Sequence, residues 1–566
     1  MRIKIILLAG LLFMGPFVFS QPRDGNQIRS VVSLMYPLDI EPSLSGNYGE
    51  FRPGHIHLGL DFRVGGKVGA KVYSSSSGYV WRIVVSPVGF GNVLYVMHKD
   101  SISTVYGHLN NFSPKIAAYV KKLQYDNKRF SVDILVPPGD LSVSEGEVIG
   151  NAGNSGNSQA PHLHYEIRDH NIPVNPSKIL QIPYFDTIAP VMTKLNLYAK
   201  INREGIESQY NLYSFDTIPS DTILLPQKFY ISVSASDFQQ SNRSSLAVET
   251  FSYYFDEELI YSFEPEWITY GEGRYLNSAI DYEQYVADGS MMLKSLVEPY
   301  SALKGNIFSV NDGLMTLNDD EVHQVRIELI DSEGNSVNNV LYVKRAPFYK
   351  LYDRLFYTQK GEIPAKADRP VSLERHGVKV EIPSEASARD YLLKIDTTIV
   401  NGALYWEVGD IYTPLFGKAQ ITITRPFVPK DRRQCFLAKI DKKGRASYVP
   451  SRFEYGELIA TISSFGTYTI LKDTLAPSIK QSFVNGASLK GRKSVWFTIS
   501  DNLSGIGSYD VYIDGNWVLA SFDAKISRLN VDLDEEVITK GKRHEVEVVI
   551  KDRIGNELIH KTNFIW

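Results

Sequence analysis

Cysteine is nearly missing from this chain: Cys435 is the only one among 566 residues, so no internal disulfide can form. It sits in Gln434-Cys435-Phe436-Leu437-Ala438, which reads as a strand, and no histidine lies within fifty residues of it. A buried, inert thiol is expected there, not a nucleophile. Tryptophan is scarce as well, 6 residues against 34 Tyr and 27 Phe. There is no basic excess: Lys and Arg number 60, Asp and Glu 64, for a net charge of −4, which excludes a polyanion footprint at the whole-chain level. Beyond the first twenty residues no apolar run approaches the length of about 18 that a membrane helix needs. What remains is ordinary for folded protein, 43% apolar and 22% charged, so disorder along most of the chain is excluded too. The tyrosines and phenylalanines, with 41 Gly and 27 Pro, lean toward strands and turns. The length suggests three or four domains of roughly 150 residues each.

The first twenty residues differ in kind. Arg2 and Lys4 precede an apolar run from Ile5 to Phe19, and Val18 and Ser20 are small enough for a signal-peptidase site. Cleavage is expected after Ser20, giving a signal peptide over residues 1–20 and an exported chain of net charge −6. Periplasm, cell envelope and external medium all fit. No cysteine lies near the cleavage site, so a lipid anchor is excluded.

After residue 185 short alternating stretches follow one another, such as Phe229, Ile231, Val233 and Ala235, or Val495, Phe497 and Ile499. Period-two patterns between turn clusters mean half-buried strands, and a long series of them means sandwiches. A repeat sets the boundaries. Asp186-Thr-Ile-Ala-Pro190 matches Asp473-Thr-Leu-Ala-Pro477, each is followed by a strand ending in Ser-Asp (Asp237, Asp501), and each module closes on an Asp-x-x-Gly-Asn turn at Asp331 and Asp552. The sequence therefore predicts a mostly β chain: residues 21–185, a β-sandwich over 186–345 with insertions, a β-rich module over 346–472 and a second sandwich over 473–566. The two sandwiches resemble bacterial immunoglobulin-like modules.

Histidine placement is the strongest chemical signal, because seven of the 11 histidines fall within residues 55–170. His57-Leu-Gly-Leu-Asp61 offers an imidazole and a carboxylate, with Gly59 free to let the backbone bend between them. His162-Leu-His164-Tyr-Glu166-Ile reads as a strand with His162, His164 and Glu166 on one face. His108 stands at the end of Thr104-Val-Tyr-Gly-His108. His544-Glu545 begins a His-Glu-x-x-His template, but residue 548 is Val and the second ligand is missing.

Taken together, residues 45–178 resemble the lysostaphin/LytM-type zinc endopeptidases. The resemblance runs through Gly49-x-Phe51, His57-x-Gly59-x-Asp61, Gly78-Tyr-Val80, Gly89-Phe-Gly91-Asn-Val93, Tyr106-Gly-His108-Leu, Gly146-Glu-Val-Ile-Gly150, Gly153-Asn-Ser-Gly156, Pro161-His-Leu-His164 and Val174-Asn-Pro176. It implies an antiparallel-sheet peptidase domain with one Zn2+ held by His57, Asp61 and His164, and a water in the fourth position. His108 and His162 match the two family histidines that flank that water, and the resemblance gives His55 no ligand role. Three protein ligands and an open position are what a catalytic zinc needs. The implied activity is hydrolysis of peptide bonds in peptidoglycan stems or cross-links, with peptidoglycan peptide as partner and no nucleic acid. Two other readings use the same residues: a catalytically silent LytM-type regulator of wall amidases, disfavoured because all five positions are filled, and a zinc protease acting on extracellular protein. The tail could bind wall glycan, hold a partner, or space the peptidase from a surface.

The chain departs from the family before His162, where Asn157-Ser-Gln-Ala-Pro161 replaces the common Ser/Thr-Thr-Gly run, and between His108 and Gly146, where it is longer. In that insertion Ser113 and Pro114 predict a helix start, with Ile116, Val120 and Leu123 on one face. It is either a wall over the groove or a packed surface element. Only Gln21 to Ile56 precede the first ligand within the expected mature chain, too few for a folded inhibitory domain, and a fragment of residues 21–185 is expected to fold alone.

Overall fold

Alternation of apolar residues becomes strand pairing almost everywhere. The computed structural model describes residues 22–566 except 181, 183–185, 204–205, 240–244, 348–360 and 425–431. The signal segment expected over residues 1–20 lies outside the described residues. Among the described residues no helix is long and apolar enough to cross a membrane.

The histidine-bearing domain is built on a nine-stranded antiparallel sheet. Its order runs Leu44–Gly46, Leu60–Arg63, His162–Asp169, Ile102–Gly107, Val93–Met97, Gly78–Val85, Val132–Leu135, with Ser142–Val143 and Ile172–Val174 pairing to the side. A small sheet of Lys71–Tyr73, Val148–Ala152 and Leu109–Phe112 packs against it over a shared core that includes Leu60, Val72, Leu109 and Ile149. The central strand, His162–Asp169, is buried along nearly its whole length. Its register sets His164 opposite Asp61 on one side and opposite Gly107 on the other, so the residue after Gly107, His108, arrives at the same place.

The insertion is a helix, Pro114–Asn127, with Ile116 and Val120 buried on the domain core and Leu123 packed at its edge. Pro114 opens it as expected, but the Ser113 side chain makes no capping hydrogen bond. The helix is a packed element of the domain. Its outer face meets the last module: Lys121 pairs with Asp534 and, at 2.8 Å, with Glu536, and Tyr125 stands edge-on to Trp517 at 5.5 Å. From the same module Lys525 reaches the carbonyls of Asn154 and Ser158, on the loop that leads to His162.

The remainder is mostly β, with short helices such as Tyr270–Gly273 and Tyr282–Asp288 inserted in the first sandwich. Six-stranded sheets containing Val191–Arg203 with Lys228–Phe238, and Val322–Ile330 with Ser336–Arg345, enclose a core in which Phe229, Ile231, Val233, Val325, Ile327 and Leu329 are buried, the face that alternation predicts. Two five-stranded sheets follow, then a four- and a five-stranded pair, each couple with its own core. Cys435 opens the strand Cys435–Ile440 and is half-buried, less enclosed than the sequence suggests, because its neighbour Phe436 takes the inward position. One feature crosses between cores. Tyr48, Ile56 and Leu58, from the segments around the first histidine pair, are buried among Phe251, Tyr253, Phe263 and Ile268 of the following sandwich.

Candidate metal centre

His57, Asp61 and His164 come together as a buried triangle. His57 Nε2 lies 3.1 Å from Asp61 Oδ1 and 3.0 Å from His164 Nδ1, and His164 Nδ1 lies 2.9 Å from Asp61 Oδ1. Each is at most 4% exposed. Gly59 is needed for space, not for a bend: its backbone does not enter the left-handed region, but a Cβ there would stand 2.6 Å from the Tyr165 carbonyl oxygen and 3.0 Å from His164 Cε1. The strand Leu60–Arg63 can therefore lie tight against His162–Asp169, which is how Asp61 reaches His164.

The outer atoms of all three side chains are engaged. His57 Nδ1 donates to the Asn47 carbonyl at 2.8 Å, and His164 Nε2 donates to Glu166 Oε1 at 3.0 Å. Arg52 donates to Asp61 Oδ2 at 2.6 Å and also to Glu50. With the outer nitrogens acting as donors, each imidazole turns its lone pair inward, toward one carboxylate oxygen. Two imidazole nitrogens and one carboxylate oxygen thus converge on one buried point, a donor set that a cation would satisfy. Burial pushes His164 down, but its hydrogen bonds to Asp61 and Glu166 and their charges outweigh this and bring it up to about 9. Asp61 is held well below the usual carboxylate range: burial raises it, but the His57 charge and hydrogen bonds from His162, His164 and His57 win. Burial keeps His57 lowered.

His108 and His162 flank the triangle, their rings 4.7 Å apart. His108 Nδ1 donates to the Ser155 carbonyl at 2.8 Å, and His162 Nδ1 to that of Ala160 at 2.9 Å, so both turn Nε2 toward the centre. His162 Nε2 stands 3.4 Å from Asp61 Oδ1. Burial, with the neighbouring charges of His164 and His162, lowers His108 to about 3, so its imidazole is neutral at physiological pH. Phe90 stacks on His164 at 4.6 Å and closes one wall. His55 is exposed and outside the cluster, with Nδ1 3.2 Å from the Pro53 carbonyl oxygen. His544 is engaged by Asp514 and the Thr539 carbonyl, far along the chain in a strand.

Four contributors have no role that residue spacing reveals: Glu166, Arg168, Tyr270 and Arg52. Glu166 was on the right face of the right strand, yet its part becomes visible only in the hydrogen bond to His164. Behind it, Arg168 donates to Glu166 Oε2 at 2.7 Å and the Tyr270 hydroxyl to Oε1 at 2.5 Å. Burial raises Glu166, but the Arg168 charge and the His164 and Tyr270 hydrogen bonds outweigh it and set the carboxyl at about 2. Tyr270 belongs to the following sandwich, a hundred residues away, and Arg52 meets Asp61 only through the fold; a single sequence carries no signal for either.

The model of peptidase family M23 matches residues 129–176, which include His162 and His164. DD-carboxypeptidase/endopeptidase Mpg of Neisseria meningitidis serogroup B is 30% identical over 124 residues, 22% of this chain and 23% of that protein. Peptidoglycan DD-endopeptidase ShyA of Vibrio cholerae is 31% identical over 162 residues, 28% of this chain and 31% of that protein. The histidine-bearing domain is thus similar to M23, LytM-type peptidases. The chain spans less than a third of the length of these curated relatives. The catalytic domain of lysostaphin from Staphylococcus simulans, a solved structure, is 23% identical and covers 27% of this chain and 96% of that domain, with a TM-score of 0.18. Beyond the histidine-bearing domain, the model of a Zu5-like domain matches residues 364–473.

Proposed function

We propose that the chain is an exported zinc endopeptidase that hydrolyses peptide bonds in peptidoglycan stems or cross-links. The observation that carries this reading is the convergence of two imidazole lone pairs and one carboxylate oxygen on a single buried point, beside two further histidines. Two nitrogens and one oxygen, with no thiolate, are a donor set suited to catalytic zinc, and every outer atom is braced as such ligands usually are. His57, Asp61 and His164 would hold the ion through Nε2, Oδ1 and Nδ1. Bound there, zinc supplies a Lewis acid and lowers the pKa of its water to about 7.

The chain's own residues do the rest. Arg52 occupies Asp61 Oδ2, so the carboxylate offers the centre one oxygen, not two. Glu166 fixes the tautomer and tilt of His164. His108 and His162, their Nδ1 atoms committed to carbonyls, keep Nε2 available at the rim. Between them they take the proton of the attacking water, return it to the leaving amine, and support the oxyanion that forms on the scissile carbonyl. The peptidoglycan substrate is supported by the names of the relatives, a DD-carboxypeptidase/endopeptidase and a peptidoglycan DD-endopeptidase.

Release of soluble fragments from purified peptidoglycan by the full-length protein tests this reading. A zinc chelator is expected to abolish release and added zinc to restore it, while thiol alkylation leaves it unchanged, because Cys435 is remote from the histidine cluster. Inactivation by the alkylator on native protein would count against the proposal. A second expectation concerns Glu166. Glu166→Gln removes the charge behind His164, so zinc affinity should fall roughly 10- to 100-fold. Competition against a chromogenic chelator measures this; unchanged affinity would remove Glu166 from the account.

A further inference from the structure

The six aspartates of the sequence repeat form two triads outside the peptidase site. Asp186, Asp237 and Asp331 bring one carboxylate oxygen each to within 4.8 Å of one another, and Asp473, Asp501 and Asp552 do the same. The placements match. In each sandwich the first aspartate precedes the first strand (Val191–Arg203 or Ser478–Gln481), the second lies at the end of an inner strand, and the third closes a strand of the opposite sheet. Each triad thus joins the two sheets at the end where the chain enters from the preceding module.

Turn formation accounts for part of this. Asp331 accepts from the backbone N–H groups of Glu333 and Asn335, and Asp552 from those of Ile554, Gly555 and Asn556. Asp186 caps Ile188, and Asp473 caps Leu475 and Ser504. It does not account for Asp237. That side chain is 3% exposed, its carboxylate is turned into the triad, and its Oδ1 has no hydrogen-bond partner. None of the three aspartates has an ion-pair partner among the described residues. Burial and the charges of Asp331 and Asp186 raise the Asp237 carboxyl to about 7. In the second triad Asp501 Oδ1 is again a buried oxygen without a partner, as is the neighbouring Ser504 Oγ.

A buried carboxylate oxygen with no donor, among two further carboxylates, is a costly arrangement. It occurs twice, at equivalent positions of two modules that otherwise differ in size. We infer that each triad binds a hard divalent cation of the calcium type. The donors are oxygen only, three carboxylates with no imidazole or thiolate, which suits calcium and not the ion of the histidine centre. Carboxylates alone leave coordination positions for carbonyls or water, as calcium accepts 6–8 oxygens. The ion pins together both sheets of each sandwich at the module junction, one beyond the peptidase domain and one directly after the strand Gly466–Lys472. This inference is independent of the peptidase reading.

Titration of metal-free full-length protein with calcium, by equilibrium dialysis and by thermal unfolding, tests it. Two calcium ions per chain are expected, with affinities in the range of extracellular modules, roughly 10⁻⁴–10⁻³ M, and a Tm that rises with calcium. Asp237→Asn and Asp501→Asn should each bind one calcium, and the double substitution none, with zinc content unchanged in all of them. In calcium-free buffer Asp237→Asn should melt higher than wild type, since it relieves carboxylate repulsion; in calcium the order should reverse. Wild-type protein that binds no calcium up to about 10 mM overturns the inference, whatever the variants do. So does a double variant that still binds two ions, or an Asp237→Asn protein that is destabilised equally with and without calcium.

Discussion

His164→Ala is expected to strip the metal and abolish hydrolysis, whereas His162→Ala should keep about one metal ion per chain while losing roughly two to four orders of magnitude in rate. The two imidazoles are two residues apart on one strand, yet their surroundings differ. His164 Nδ1 stands 2.9 Å from Asp61 Oδ1 and 3.0 Å from His57 Nε2, inside the triangle. His162 stays at the rim, 15% exposed at its side chain, with Nε2 3.4 Å from the same carboxylate oxygen. Removing one of three protein ligands collapses affinity, while removing a rim imidazole leaves the ligand set whole. His108→Ala should behave as His162→Ala does. Elemental analysis beside activity decides it. Metal lost from His162→Ala and retained by His164→Ala would reverse the assignment, and two active variants would move the active site elsewhere.

A fragment of residues 21–185 should be insoluble or metal-poor, while residues 21–345 should be soluble and bind metal. This departs from the sequence-based expectation of an independent peptidase domain. The reason lies in Ile56-His57-Leu58. His57 faces the metal centre, but Ile56 and Leu58, 2% and 3% exposed, are buried in the core of the next sandwich, with Tyr48 beside them. Cutting at residue 185 would expose them, at about 1.5–3 kcal/mol for each aliphatic side chain, against a total stability of about 5–15 kcal/mol for a typical domain. It would also remove Tyr270 from Glu166, loosening the support of His164. Sedimentation and metal content of the two fragments test this; a monodisperse 21–185 fragment with full metal affinity would show that the interleaving carries little energy.

The candidate site was largely legible because its signals are local. His57 and Asp61 are four residues apart, His162 and His164 two, and a strand period aligns them without any knowledge of the fold. The alternating faces of Phe229 to Val233 and Val495 to Ile499 were legible for the same reason. The helix start at Pro114 was legible, but its docking on the last module was not. The rest depends on contacts between distant segments. Gly59 makes room for a neighbouring strand, Arg52 fixes one oxygen of Asp61, and Tyr270 reaches in from another module. Each is a tertiary fact that residue spacing does not encode. The aspartate repeat was visible as a set of module boundaries, but only the fold draws Asp186, Asp237 and Asp331 into one cluster.

The central claim, zinc-dependent cleavage of peptide bonds in peptidoglycan, is tested most directly by digesting purified peptidoglycan with the full-length protein and weighing the released fragments by mass spectrometry. The account predicts peptides split at an amide bond, each cut adding one water and leaving a new amine and a new carboxyl end, with no products once zinc is removed. Glycan-bond fragments, or no release by a protein that holds one zinc per chain, would contradict it.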